Sequence, residues 1–268
     1  MKQIIQSSSL IYASILLIFS VLIFSHNQQD SDAFNAPQII KLTASNEDEE
    51  NLDADAELDN EDLGTGEKNS FIDESLKKAL TLSREGEHEA AIYLYQVILN
   101  ENENHQIAAT NLALLHKRIL GCEQAKAAIE HAINVTRGKR LAKSLSLQGS
   151  CYIEAEIYTA AIKSLTRAIE FRPNHALLWK KLAKAQNLSQ HPIEQVIQTY
   201  QRALALDSNN LKLRIRIAKL QYQHLDFNGS IKTLRGDYSN IKTSYEGQYL
   251  LAWNYLEVRK FNNAKKHI

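Results

Sequence analysis

The chain has 268 residues, with 31 basic and 31 acidic side chains, three prolines and two cysteines. The balanced charge excludes a uniformly basic or acidic surface but hides an asymmetry. Residues 30–70 carry a net charge of −11 and residues 71–268 carry +10, so the chain reads as segments with different roles.

The first segment, residues 1–29, is apolar. Leu10 to Phe24 is an unbroken run of apolar or small residues, LIYASILLIFSVLIF. With Ile4 to Ser9 it would reach about 33 Å as a helix, enough for a bilayer core of about 30 Å. Two readings compete, an uncleaved anchor through residues 4–25 and a cleaved signal segment. Cleavage needs small residues at fixed spacing; Ser25 is small, but Ile23 is not, and no A-x-A pattern occurs. No cysteine follows the run, which argues against a lipid-modified terminus. Lys2 precedes the run and the next base is Lys41. Basic residues favour the cytoplasmic side, so the expectation is a single-pass protein. Its N-terminus is cytoplasmic and its remainder lies outside the cytoplasm, in the periplasm if the chain is bacterial.

Residues 30–70 form the second segment. The stretch NEDEENLDADAELDNEDLGTGEKNS has no aromatic residue and few aliphatic ones. It cannot bury enough surface to offset ordering entropy, so an acidic disordered linker is expected. It is read either as an extended, self-repelling spacer or as a tail that docks on a basic face of its own chain. GTGEK at Gly64 lacks the spacing of a phosphate loop and follows no strand.

Residues 71–268 repeat. Ala91, Ala125, Ala161, Val196, Ser230 and Ala264 occupy equivalent places at spacings of 34, 36, 35, 34 and 34. A period near 34 signals stacked helical hairpins, because one hairpin cannot bury its own apolar face. Apolar residues recur at helical spacing, as in Val196, Ile197, Tyr200, Ala203 and Leu204. Small residues at Gly149, Ala161 and Ala183 allow close helix approach, and Tyr152, Trp179 and Tyr200 are expected to fill the holes between hairpins. Pro173 and Pro192 fall between helices, where a missing N–H is harmless.

These units resemble the tetratricopeptide repeats, whose pattern is W-x2-L-G/A-x2-Y in a first helix and A-x3-F/Y-x2-A with a late Pro in a second. The fourth unit carries it in Trp179, Leu182, Ala183, Tyr200, Ala203 and Leu204. The third has Leu145, Gly149, Tyr152, Tyr158, Ala161, Leu165, Ala168 and Pro173. The second has Leu112, Ala113, Ala125, Ile129 and Ala132; the fifth, Ile217, Ala218, Ser230 and Leu234; the sixth, Leu251, Ala252, Tyr255, Phe261 and Ala264. In the first, Lys78 stands where an aliphatic residue is expected. The resemblance implies an all-α, right-handed superhelical solenoid of about six helix-turn-helix units, the last incomplete. It also implies recognition of proteins or peptides.

Register places Cys122 at the start of the second unit's second helix and Cys151 one turn before the end of the third unit's first helix. Those ends are adjacent in an antiparallel stack, so the pair reads as a disulfide in an oxidising compartment or as two buried thiols. The sixth unit's second helix is cut at Ile268. Leu250, Leu251, Trp253, Tyr255 and Leu256 are then expected to be poorly covered, which points to a fragment or to an edge that binds another protein or a second copy.

Catalytic and metal-binding patterns do not occur. Nine histidines are scattered without metal-ligand spacing, and there is no C-x-x-C, G-x-S-x-G or H-E-x-x-H. No cofactor, metal or enzymatic activity is expected. In the family resembled, the first helices line a concave surface. That register carries Lys117, Lys143, Lys180, Lys184, Lys212, Arg216 and Lys219, with Arg118 and Lys181 nearby and few acids. A basic wall attracts an acidic or carboxylate-bearing partner. Some members of the family clamp a peptide C-terminal carboxylate with residues from three repeats. Here Lys180, Lys184, Lys212 and Arg216 come from two, without the paired asparagines, which argues against that clamp. Nucleic acid is not expected, since no aromatics interleave the bases. The function implied is a membrane-tethered scaffold or assembly factor. The alternative is an accessory or regulatory half of an enzyme system, for glycosyl transfer or assembly of a secreted complex, with its catalytic part elsewhere.

Overall fold

A computed structural model describes residues 70–267, which form helices joined by short turns with no strand among them. The expected anchor, and the linker up to residue 69, lie outside the described residues. Among the described residues, no helix is long and apolar enough to cross a membrane.

Six hairpins follow in order. They are α1 Ser70–Glu85 with α2 His88–Glu101, α3 Gln106–Leu120 with α4 Cys122–Val135, and α5 Gly138–Glu154 with α6 Tyr158–Phe171. Next come α7 Ala176–Leu188 with α8 Ile193–Leu206, and α9 Leu211–Gln223 with α10 Phe227–Arg235. A short α11 Tyr238–Ile241 precedes α12 Tyr245–Glu257 and α13 Phe261–Ala264, and a 3-10 turn Lys265–His267 closes the described chain. Each second helix packs on its own first helix and on the first helix of the next hairpin.

The period is set by burial. All six small or aliphatic residues that mark it are almost fully buried, Ala264 at 1% exposed and the others at 0%. At Gly149 the approach is closest: an added Cβ would sit 2.7 Å from Leu165 Cγ, so any larger residue would push α5 and α6 apart. Five apolar clusters result, and each joins consecutive hairpins. This is the quasi-one-dimensional architecture in which a hairpin is stabilised by its neighbours. Lys78 does no harm because it is exposed, while Leu76, Ala79 and Leu80 on the same helix supply the core.

The turn inside each hairpin carries a second period that the side chains do not announce. One residue in each of these turns has positive φ, namely Gly86, Gly121, Glu156, Gln190, Leu225 and Arg259; Gly138, at the start of α5, is a seventh outside them. In five of them the N–H of the next residue bonds back to the helix, for example Ile157 to the carbonyl of Tyr152 at 2.8 Å and Asp226 to that of Gln221 at 2.8 Å. These are Schellman closures, which satisfy carbonyls left over at a helix end. Counted from these turns, the hairpin is one residue short at Gly121 and one long before Val196, where Pro192 caps α8. That accounts for the uneven spacing of the anchors. Leu225, with φ 64° and 74% exposed, holds a conformation that costs an L-residue about 1–2 kcal/mol. Leu225→Gly is expected to stabilise the fifth hairpin by about 0.5–1 kcal/mol, after the added flexibility of the unfolded chain is subtracted. A urea titration that moves the other way would contradict it.

Two first helices, α9 and α12, are capped by short polar side chains. Asn210 accepts from Leu213 N–H at 2.9 Å and Ser244 from Gly247 N–H at 3.1 Å. At α3 the cap is the imidazole of His105, whose Nδ1 accepts from Ala108 N–H at 3.2 Å. Burial holds His105 and His116 below the usual histidine pKa. The unfolded chain therefore takes up protons first on acidification. Stability should be fully present above about pH 6.5 and fall as pH drops through that value. A urea midpoint lower at pH 5 than at pH 7.5, and less so in His105→Asn, is the expected outcome; equal pH dependence in both proteins would contradict it.

The fifth hairpin departs from the pattern. Where the repeat expects an aromatic residue, Arg214 is buried at 9% exposure and donates to Thr233 O at 3.2 Å and to Ser208 O at 2.9 Å. It takes up one carbonyl near the end of α10, which stops after nine residues, and one in the turn between α8 and α9. The chain then enters α11, whose Ile241 joins the last cluster.

Two expectations need correction. Leu250, Leu251 and Tyr255 are not poorly covered: all three are buried with Ile215, Ala218, Leu234, Ile241 and Ala264. Cover comes from α11 and from the segment beginning at Phe261, which folds back so that His267 stacks on Tyr255 at 5.7 Å. Only Trp253 and Leu256 stay half-exposed. Of the three aromatics expected to fill holes, Tyr200 is 1% exposed, but Tyr152 and Trp179 are half-buried. Trp179 packs against two clusters at once, donates from Nε1 to Pro173 O at 2.7 Å, and lies 5.8 Å from the Arg202 guanidinium.

Candidate partner-binding surface

First helices also touch one another, α3 against α5, α5 against α7, and α9 against α12. They form one layer and the second helices form the other. Every basic residue singled out in the sequence lies in the first-helix layer: Lys117 on α3, Lys143 on α5, Lys180 and Lys184 on α7, and Lys212, Arg216 and Lys219 on α9. This follows from register. On a helix, residues three or four apart share a face, so Lys180 and Lys184 point the same way, as do Lys212, Arg216 and Lys219.

The layer is not purely basic. Lys117 bridges to Glu154 of α5 at 3.0 Å, and Lys219 bridges to Glu246 of α12. Both lysines are largely buried, with side-chain exposures of 11% and 13%. Lys181 is buried as well and donates to Ser146 Oγ of α5 at 2.9 Å. These three contacts tie adjacent first helices together across hairpins. The ion pairs draw charge from the two ends of the basic stretch.

At the sixth hairpin the layer becomes aromatic. Tyr245, Tyr249 and Trp253 are spaced four apart on α12, with Tyr245 and Tyr249 stacked at 6.1 Å and Tyr249 edge-on to Trp253 at 6.0 Å. Tyr245 is 85% exposed. The spacing was visible in the sequence, but Tyr245 and Tyr249 fall outside the repeat pattern and Trp253 reads there as uncovered core. Nearby, Tyr222 packs edge-on to Phe227 at 5.4 Å. Burial, together with the charge and hydrogen bond of Glu257, pushes its hydroxyl pKa up to about 12.

Cys122 and Cys151 form a disulfide, with Cα atoms 5.3 Å apart. It joins the first turn of α4 to the last turn of α5, so it staples the second hairpin to the third. Near the last described residues, Arg235, Leu251, Tyr255, Asn263, Lys266 and His267 line a cavity of about 300 Å³. Burial, and then Lys266 and Arg235, hold His267 below its usual pKa. Among the described residues no group of three His, Cys, Asp or Glu side chains is placed to hold a metal ion.

No protein-family model matches the chain, and no curated protein matches it in sequence. Solved structures do match in fold. PilF of Pseudomonas aeruginosa superposes with a TM-score of 0.60 at 16% identity, over 74% of this chain and 89% of its own. A tetratricopeptide repeat protein from Parabacteroides merdae gives 0.56 at 14% identity, over 74% of this chain and 77% of its own. YrrB, described as a TPR protein with an unusual peptide-binding site, gives 0.55 at 17% identity, over 65% of this chain and 88% of its own. The described residues therefore have the tetratricopeptide-repeat fold.

Proposed function

We propose that this chain, a tetratricopeptide-repeat solenoid, is a membrane-tethered scaffold or assembly factor that binds an acidic protein or peptide along its first-helix layer. One observation carries the reading: Lys143, Lys180, Lys184, Lys212 and Arg216 stand on three successive first helices of one layer. Cations arranged this way on a rigid support focus field toward a partner of opposite charge. The Tyr245, Tyr249 and Trp253 ladder extends the same layer with large, rigid apolar contacts of the kind that anchor interfaces. The likeness to YrrB, which is described as having a peptide-binding site, supports recognition of a peptide. The tether rests on the apolar run Leu10 to Phe24, and its orientation on Lys2.

Capture from detergent-solubilised membranes tests the reading. Full-length bait and the double variant Lys180→Glu and Lys184→Glu are compared at low and high salt. The expected result is a partner set retained by the wild type at low salt and reduced at least tenfold by charge reversal, a loss of about 1.4 kcal/mol or more. An identical set on both baits would refute the basic face as the binding surface. Recovery of the protein in the soluble fraction after alkaline extraction would refute the tether.

A further inference from the structure

We propose that the cavity beside α10 and α12 is a binding site for a carboxylate carried on a small apolar body, supplied by the last residue of a peptide or by a free carboxylic acid. The site shares no residue with the basic first-helix face and does not rest on the function proposed for that face. Three observations carry it: unmatched charge, an apolar wall, and a local break in the repeat that opens the space.

Arg235, at the end of α10, and Lys266, in the 3-10 turn, both line the cavity, with Asn263 and His267 beside them. No carboxylate is among the lining residues. Neither the Arg235 nor the Lys266 side chain has a hydrogen-bond or ion-pair partner among the described residues. Burial, and then Lys266 and Arg235, hold His267 below its usual pKa. The two cations thus raise the potential at His267, and no acid on the cavity wall offsets them. The imidazole itself is held in place, with Nδ1 2.7 Å from Gln248 Oε1 and the ring stacked on Tyr255. A guanidinium takes a carboxylate through two parallel N–H bonds, and an ammonium adds compact charge beside it.

Leu251 and Tyr255 of α12 supply the apolar wall, at 0% and 4% exposure. The volume of about 300 Å³ stands at the lower end of the range that holds small ligands, about 300–1,000 Å³. Cations on one part of the wall and apolar side chains on another select an amphipathic anion. A bare inorganic ion would leave Leu251 and Tyr255 against water, and a neutral apolar group would leave Arg235 and Lys266 unmatched.

The space follows from the departure of the fifth hairpin. The second helices α2, α4, α6 and α8 each run 14 residues, whereas α10 runs 9. Five residues of helix are about 7.5 Å, so α10 ends more than a turn early beside α12, against which it packs. The chain leaves the helix at Gly236, whose N–H bonds back to the carbonyls of Lys232 and Thr233 at 3.1 and 3.3 Å. After α13 the turn Lys265–His267 packs on α12 and brings Lys266 and His267 to the gap. The cavity therefore belongs to the irregular part of the fold and not to the repeating surface.

Saturation-transfer NMR titrations of the full chain in non-ionic detergent test the site. The probes are N-acetyl-leucine, N-acetyl-leucinamide, N-acetyl-glycine, hexanoate, and a tetrapeptide of three alanines and a C-terminal leucine. The wild type should bind N-acetyl-leucine about tenfold more tightly than its amide, the scale of losing a hydrogen bond between charged groups, and more tightly than N-acetyl-glycine. Arg235→Gln with Lys266→Gln should abolish the preference for the acid. Lys232→Gln with Lys265→Gln removes the same charge outside the cavity lining and should leave the preference intact. All four side chains are exposed, so neither variant disturbs the core. Equal affinity for acid and amide overturns the anion site, and equal affinity for the leucine and glycine probes overturns the apolar half of the proposal. A preference that survives Arg235→Gln with Lys266→Gln, or falls equally in both double variants, overturns the cavity as its location. Binding of the tetrapeptide as tightly as N-acetyl-leucine assigns the carboxylate to a peptide terminus, and binding of hexanoate without the tetrapeptide assigns it to a free acid. No binding of any probe overturns the proposal.

Discussion

Tyr95→Ala should remove about 3–5 kcal/mol of local stability, and the loss should be confined to the first two hairpins. Tyr95 is 0% exposed and packs among Leu76, Ala79, Leu80, Ile98, Ile107 and Leu112. Those residues come from α1, α2 and α3, so one side chain joins the first hairpin to the second. Its hydroxyl lies 3.4 Å from Ser83 Oγ and accepts from Asn111 Nδ2 at 3.3 Å. Burial raises the Tyr95 pKa, consistent with a neutral hydroxyl in a closed core. Truncation would leave a ring-sized cavity and would also take the partner from Asn111, which is 0% exposed and whose Oδ1 already has none. Tyr95→Phe separates the two contributions and should cost only about 1–2 kcal/mol. In a stack of nearest-neighbour contacts, damage at one end does not propagate far. Hydrogen exchange should therefore quicken across 70–135 and hold across 176–257 in the alanine variant. Uniform quickening over the whole domain would contradict the nearest-neighbour description.

Breaking the disulfide should have an effect of similar size at a different place. Cys122 and Cys151 close a loop across a sequence separation of 29, and the chain-entropy model gives about 3–4 kcal/mol for a loop of that length. The link ties α4 to α5, so its loss should loosen the second and third hairpins against each other. Lys117 and Glu154 bridge the same pair of hairpins beside it, and that contact should weaken as well. The expected result of Cys122→Ser with Cys151→Ser is a lower thermal midpoint and faster exchange in 106–171. An unchanged midpoint in the double serine variant, or in the wild type under reductant, would remove the disulfide from the account of stability.

How far the sequence reveals this molecule depends on what repeats. Ala91, Ala125, Ala161, Val196, Ser230 and Ala264 could be read because each has to be small or aliphatic for two helices to approach, and all six are buried. The adjacency of Cys122 and Cys151 followed from the same register. Features set by backbone geometry were hidden. Glu156, Gln190, Leu225 and Arg259 hold the same closing turn, with positive φ, as Gly86 does, without a glycine to mark it. Arg214 was hidden for another reason: it stands where an aromatic is expected and works by hydrogen-bonding carbonyls rather than by filling space. Coverage of Leu250, Leu251 and Tyr255 could not be read either, because the segment that covers them is short and departs from the repeat.

The candidate surface was legible in part. Lys143, Lys180, Lys184, Lys212 and Arg216 stand on the expected helices because helix register fixes them. Glu154 and Glu246 were missed as partners of Lys117 and Lys219, since contacts between helices of different hairpins cannot be read from one helix at a time.

The central claim is that the first-helix layer meets the partner. Site-specific photo-crosslinking of the full chain in cells tests it most directly. A photoreactive residue is placed at Lys143, Lys184 or Lys212 on first helices, and at Lys163 or Arg202 on second helices. The account predicts partner adducts from the first three positions and few from the last two. Adducts predominantly from Lys163 and Arg202 would contradict it.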